Sequence, residues 1–67
     1  MPAIEVKDRR YIYRTTTDRA GFAAIVSRRQ GNAETLIYRQ EYTTRRHAQQ
    51  AARQAAHSFA ANDAYLN

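Results

Sequence analysis

Cysteine and tryptophan are absent from these 67 residues, and there is one proline and only two glycines. Without cysteine the chain has no disulfide staple, no thiolate metal site and no thiol nucleophile. Gly21 and Gly31 stand alone in the sequence, so no glycine-rich phosphate cradle is present. Large apolar side chains are scarce as well. Ile, Leu, Val and Phe number ten, about 15% of the chain. That lies below the roughly 20% which, with high net charge, warns of disorder. No apolar run approaches the roughly 18 residues of a membrane span, and the N-terminus lacks a signal-peptide h-region. A cytoplasmic protein without a membrane partner is therefore expected. The length allows one small domain over residues 1–67, with a thin core.

What the chain has in excess is positive charge. Eleven basic residues against six acidic ones give a formal net charge of +5. Ten of the eleven are Arg, whose planar five-donor fork suits phosphates, carboxylates and guanine edges better than the point charge of Lys. Such a bias fits a binder of nucleic acid or of an acidic protein surface. It equally fits a GC-rich coding sequence, since Ala is abundant too. Position has to separate the two.

The strongest periodic signal lies between Thr44 and Asn62. Ala48, Ala51, Ala52, Ala55, Ala56, Phe59 and Ala60 recur at the i, i+3, i+4, i+7 spacing of one helical face. Arg45, Arg46, Gln49, Gln50, Arg53, Gln54, His57 and Ser58 take the remainder. Thr44 is a natural N-cap, and the spacing predicts a helix over about 45–61. Upstream, period-2 runs rich in β-branched and aromatic residues predict strands over about 9–16, 22–29 and 34–42. Turn signals at Asp18 to Gly21 and at Gly31-Asn32 divide them. The expected fold is α+β: a three-stranded antiparallel meander with one C-terminal α-helix packed across one face, in the order β-β-β-α. Residues 1–8 are expected to extend the first strand, with a bulge or break near Asp8.

Register decides what each sheet face shows. A two-residue turn at Gly31-Asn32 would place Arg39 and Glu41 beside Phe22 and Val26, where burying charge is costly. An odd-numbered loop is therefore expected, with Phe22, Ala24, Val26, Leu36, Tyr38 and Tyr42 under the helix. In the first strand Ile12 is placed inward, and Tyr11 and Tyr13 outward. The placement of residues 61–67, with Tyr65 and Leu66, is left open between a sheet-edge cover and a loose tail.

Catalytic constellations are missing. His47 and His57 are ten apart on the predicted helix and too far round it to share a metal. Ser27 and Ser58 lack a nucleophile-elbow context. The six carboxylates form no adjacent acid–base pair in sequence. No enzyme, cofactor or metal is expected.

The arginines are more suggestive. Arg9-Arg10, Arg28-Arg29 and Arg45-Arg46 form doublets at strand ends and at the helix start. Two guanidiniums in a first helical turn oppose the helix macrodipole, and a phosphate or carboxylate docked there would relieve the repulsion. The outward sheet face is expected to mix Tyr11, Tyr13, Ile25 and Ile37 with Arg9, Arg29 and Arg39, a surface suited to bases or a groove. Ile25 and Ile37 would form a patch open to a partner or to a second copy.

The β-β-β-α order followed by Tyr42-Thr43-Thr44-Arg45-Arg46-His47-Ala48 resembles the arm-type, AP2-like DNA-binding domains of phage integrases over roughly residues 9–60. The resemblance implies a sheet lying in the DNA major groove, with Tyr11, Tyr13, Arg29 and Arg39 facing the groove. The chain departs from that pattern in having no Trp and no glycine-aromatic opening of the first strand. HicB-type antitoxin folds begin with a comparable order.

The sequence thus reads as a non-enzymatic binding module for nucleic acid, DNA first. Its expected contacts are Arg9, Arg10, Tyr11, Tyr13, Arg28, Arg29, Arg39, Arg45, Arg46 and Arg53. A second reading uses the same residues against an acidic protein surface, as in a small phage- or mobile-element-encoded inhibitor of the anti-CRISPR kind. Tyr and Arg dominate protein interfaces too. A third reading is a homodimer closed through Ile25 and Ile37.

Overall fold

The computed structural model describes residues 3–6, 8–19 and 21–66, with the side chains of Asp18, Tyr65 and Leu66 left undescribed. Among the described residues four strands precede one helix: β1 (Ala3–Val6), β2 (Arg9–Asp18), β3 (Gly21–Gln30), β4 (Ala33–Tyr42) and α1 (Arg45–Leu66). The sheet is antiparallel with spatial order β1-β2-β3-β4. The α+β class and the C-terminal helix match the sequence reading, but the strand count does not. Residues 3–6 do not extend the first strand. They form a separate strand that pairs Val6 with Arg9 and Ala3 with Ile12, while the expectation for positions 1, 2 and 7 lies outside the described residues. This pairing removes the phase conflict near Asp8 and puts Ile4 and Val6 on the face of Tyr11 and Arg9.

The second hairpin corrects the loop argument. Gln30 pairs with Ala33 around a two-residue turn, not an odd loop. Gly31 sits at φ 61°, a conformation that glycine adopts without a Cβ penalty. The parity problem is real, and the chain solves it further along. A β-bulge between Val26 and Ser27 makes Ser27 face Leu36 and Val26 face Tyr38, with Ile37 as the extra residue. Beyond it Phe22 faces Tyr42, Ala23 faces Glu41 and Ile25 faces Arg39. Arg39 and Glu41 thereby leave the helix side. Leu36, expected under the helix, lies before the correction and is 57% exposed.

Helix α1 lies across the sheet, chiefly over β2 and β3. Ala48, Ala52, Ala56 and Ala60 are buried, as the periodicity requires, and Ala48 and Ala52 pack on Ala24. Tyr13, Phe22, Tyr38 and Tyr42 ring that seam. Tyr38 meets Phe59 edge-on at 6.4 Å between ring centroids, and its hydroxyl shares a 3.2 Å hydrogen bond with that of Tyr42. Val26 is the largest side chain that is fully buried. With little apolar area per alanine, the half-buried aromatics supply much of the cohesion. Thr44 caps the helix, its Oγ1 accepting from the His47 N–H at 3.2 Å. The helix runs a turn beyond its predicted end, through Leu66. No helix among the described residues is long and apolar enough to cross a membrane.

Gly21 closes the β2–β3 hairpin at φ 145°. A Cβ there would stand 2.6 Å from the Tyr42 carbonyl oxygen, whereas one at Gly31 would meet nothing within 4 Å. Gly31→Ala is expected to cost about 1–2 kcal/mol for its left-handed backbone, and Gly21→Ala measurably more. Urea unfolding of the two variants checks this. Equal losses would contradict the carbonyl contact.

Candidate nucleic-acid interface

Pairs opposite one another across an antiparallel sheet share a face, so the observed register maps both sides. Tyr11, Tyr13, Val26, Ala24, Phe22, Tyr38 and Tyr42 belong to the helix side. The other side carries three cross-strand rows: Arg10, Arg29 and Glu34; Ile12, Ser27 and Leu36; and Arg14, Ile25 and Arg39. Thr16, Ala23 and Glu41 form a fourth. This face therefore presents exposed Leu36 and half-buried Ile25 among four arginines, with Ile12 buried on the same side. Short Ala23 and Ser27 sit buried on the central strand beside them.

Three expectations are overturned. Tyr11 and Tyr13 face the helix, and Ile12 faces away, because pairing with Arg28 and Val26 puts both tyrosines on the packed side. The groove-facing role that the arm-type resemblance implies for the two tyrosines does not fit that orientation. No described aromatic ring lies on the open face, so base stacking has no platform there. Arg14, which sequence reasoning passed over, does belong to the face. Its signal was available: it occupies the same parity as Ile12 once the tyrosines are turned inward.

The cations differ in how far they are committed within the chain. Arg10 Nη2 donates to Glu5 Oε1 at 2.5 Å in an exposed pair. Arg39 Nη1 lies 3.8 Å from Glu41 Oε1. Arg29 Nε donates weakly to the Gly31 carbonyl at 3.4 Å. Solvated pairs of this kind contribute little and exchange readily for a phosphate. Ile25 is half-buried on the open face, and Ile37, the bulge residue, is half-buried too. The two do not form the joint patch expected of them, since the bulge inserts Ile37 between the Val26 and Ser27 pairings.

Arg9 and Tyr11 serve a different purpose. Arg9 forms a two-pronged pair with Asp63, both contacts at 2.5 Å, and the Tyr11 hydroxyl donates to Asp63 Oδ2 at 2.6 Å. Asp63 lies 52 residues from Tyr11 on the last turns of α1, so this cluster ties the helix end to β2. The Tyr11 hydrogen bond first, and then Arg9, hold the Asp63 carboxyl below its ordinary range. Burial, and then the carboxylate itself, push the Tyr11 phenol up. The positive charge of Arg28 reinforces the lowering at Asp63 and opposes the rise at Tyr11. Sequence reasoning missed Asp63 because it lies beyond the alanine periodicity.

The helix arginines lie on the other layer. Arg45 rests its guanidinium 5.4 Å from the Phe22 ring centroid, a cation–π contact that offsets its poor place in the first turn. Arg46 and Arg53 are exposed. Arg53 borders a groove of about 400 Å³ between α1 and β2, with Tyr13, Arg14, Thr15, Gln49 and Ala52. A second cavity of about 400 Å³ at the hairpin ends mixes Glu5 and Asp8 with Arg9, Arg10 and Arg29. Among the described residues no group of three His, Cys, Asp or Glu is placed to hold a metal. No protein-family model, curated protein or solved structure matches the chain.

A depressed carboxyl stabilises the fold fully above its ordinary value near 3.8 and ceases to as pH falls below that value through the folded one. Asp63→Asn is therefore expected to lower the melting temperature at pH 7. The gap to the native protein should narrow as the pH is taken from 5 towards 3. A gap that stays constant over that range would show that the carboxylate charge is not what holds the helix end.

Proposed function

We propose that this protein is a non-enzymatic DNA-binding module whose open sheet face seats in the major groove of a duplex. The observation that carries the reading is the grouping of Arg10, Arg14, Arg29 and Arg39 around half-buried Ile25 and exposed Leu36 on the face opposite the helix. Strands β2 and β4 lie two strand spacings apart, about 10 Å, and a major groove is about 12 Å wide. Arginines on the outer strands then reach groove walls and phosphates, while the β3 residues face base edges. The aliphatic groups between them suit thymine methyls. The net charge of +5 favours the encounter. With the tyrosines packed under the helix, stacking of single-stranded bases is the weaker mode. Of the four groove-facing residues that the arm-type resemblance implies, Arg29 and Arg39 lie on this face. On this reading Arg9, Arg28, Arg45, Arg46 and Arg53 shape the surrounding field rather than touch the groove.

Leu36 favours a second reading, since an exposed leucine beside Ile25 and a rim of arginines also suits an acidic protein surface. An inhibitor or adaptor would form a stoichiometric complex that survives nuclease treatment.

Fluorescence anisotropy with labelled duplex DNA, single-stranded DNA and RNA at several salt concentrations distinguishes these modes. Duplex DNA is expected to bind best, with log affinity falling linearly with log salt. Replacing both Arg14 and Arg29 by Ala should weaken binding and reduce the salt slope by about 2. The Arg45→Ala, Arg46→Ala pair should change the slope far less. Absence of binding at low salt would overturn the reading.

A further inference from the structure

The edges of this sheet are not treated alike. β1 is only four residues long, and β4 carries the bulge and the charges of Glu34, Arg39 and Glu41. Short strands, bulges and charge are the ordinary protections against unwanted edge pairing. β2 differs. β1 covers it only from Arg9 to Ile12, so Tyr13–Asp18 has β3 on one side and no strand on the other among the described residues. That stretch reads Tyr-Arg-Thr-Thr-Thr-Asp, with three β-branched residues in succession and no proline, glycine or bulge. The groove bordered by Tyr13, Thr15, Gln49 and Ala52 runs beside it.

We propose that two copies of this chain join through this edge, antiparallel about a two-fold axis at Thr16. An isologous contact must be self-complementary, and the segment is. Centred on Thr16, the pairing sets Thr15 opposite Thr17 of the second copy and Arg14 opposite position 18, an aspartate, so unlike charges meet twice. Register parity keeps equivalent faces on the same side. The joined sheet has eight strands, with both helices on one side and both arginine faces on the other. The thin core of a single chain gives such a pairing added value. The dimer does not rest on nucleic-acid binding, and its test contains no nucleic acid. If both hold, the groove-binding face is doubled.

The chain has no native cysteine, which makes the test clean. Thr16 is exposed, and Thr16→Cys places two thiols across the axis, where facing Cβ atoms lie about 4.5–5.5 Å apart. Mild oxidation, or a short thiol-specific cross-linker, is expected to convert Thr16→Cys to a covalent dimer at least tenfold faster than Thr35→Cys, a control on β4. Light scattering of the native protein should show mass rising from one chain to two with concentration. Arg14→Asp should abolish that rise, and adding Asp18→Arg should restore it. Cross-linking of Thr16→Cys no faster than the control overturns the proposal, even if a dimer is seen by mass, since the dimer would then form elsewhere.

Discussion

The close contact between an alanine stripe on α1 and Ala24 at the centre of the sheet governs this structure. Methyl groups let the helix approach the sheet closely, but they bury little area. Bulk must then come from the flanks, and there Tyr13, Phe22, Tyr38, Tyr42 and Phe59 gather around the seam. Once these rings are committed to the helix side, strict alternation sends their neighbours to the other face. The arginine and isoleucine character of the open sheet is thus a by-product of how the core is filled.

Electrostatics follows the same division. On the packed side, charge is drawn into a specific cluster: Arg9 and Tyr11 hold Asp63, and the helix end is fastened to β2 across most of the chain length. On the open side, Arg10 and Arg39 lie beside exposed carboxylates, Glu5 and Glu41. The first arrangement serves the fold, because its groups are partly shielded and jointly hydrogen-bonded. The second contributes little to the fold, because water screens both partners. Each doublet on a strand puts one member on each face, and only Arg10 and Arg29 reach the open one.

Much of this was legible before any coordinates. The helix face was read residue by residue, because a period of 3.6 over a long alanine-rich run has no competing interpretation. Thr44 announced its own cap. The antiparallel order followed from two turn signals. The strand phases were harder. Arg39 and Glu41 do stay out of the core, as the cost of burying charge requires, but the loop is not what keeps them out. The chain keeps the short Gly31-Asn32 turn and shifts register at Val26/Ser27 instead, so Leu36 and Tyr38 end on opposite faces. Tyr11 and Tyr13 were misplaced for a related reason: a strand of alternating Tyr, Ile and Arg carries no local mark of which side the helix will cover.

Local interactions determined the elements themselves. Helix, cap, turns and strand-forming runs depend on spacing and propensity within a few residues, and these are written along the chain. Tertiary structure alone decided the faces. Whether Ile12 or Tyr11 is covered, where one residue is bulged out, and which distant carboxylate takes Arg9 depend on contacts between segments tens of residues apart. Their free energies are settled by packing and desolvation jointly, and no single segment encodes them.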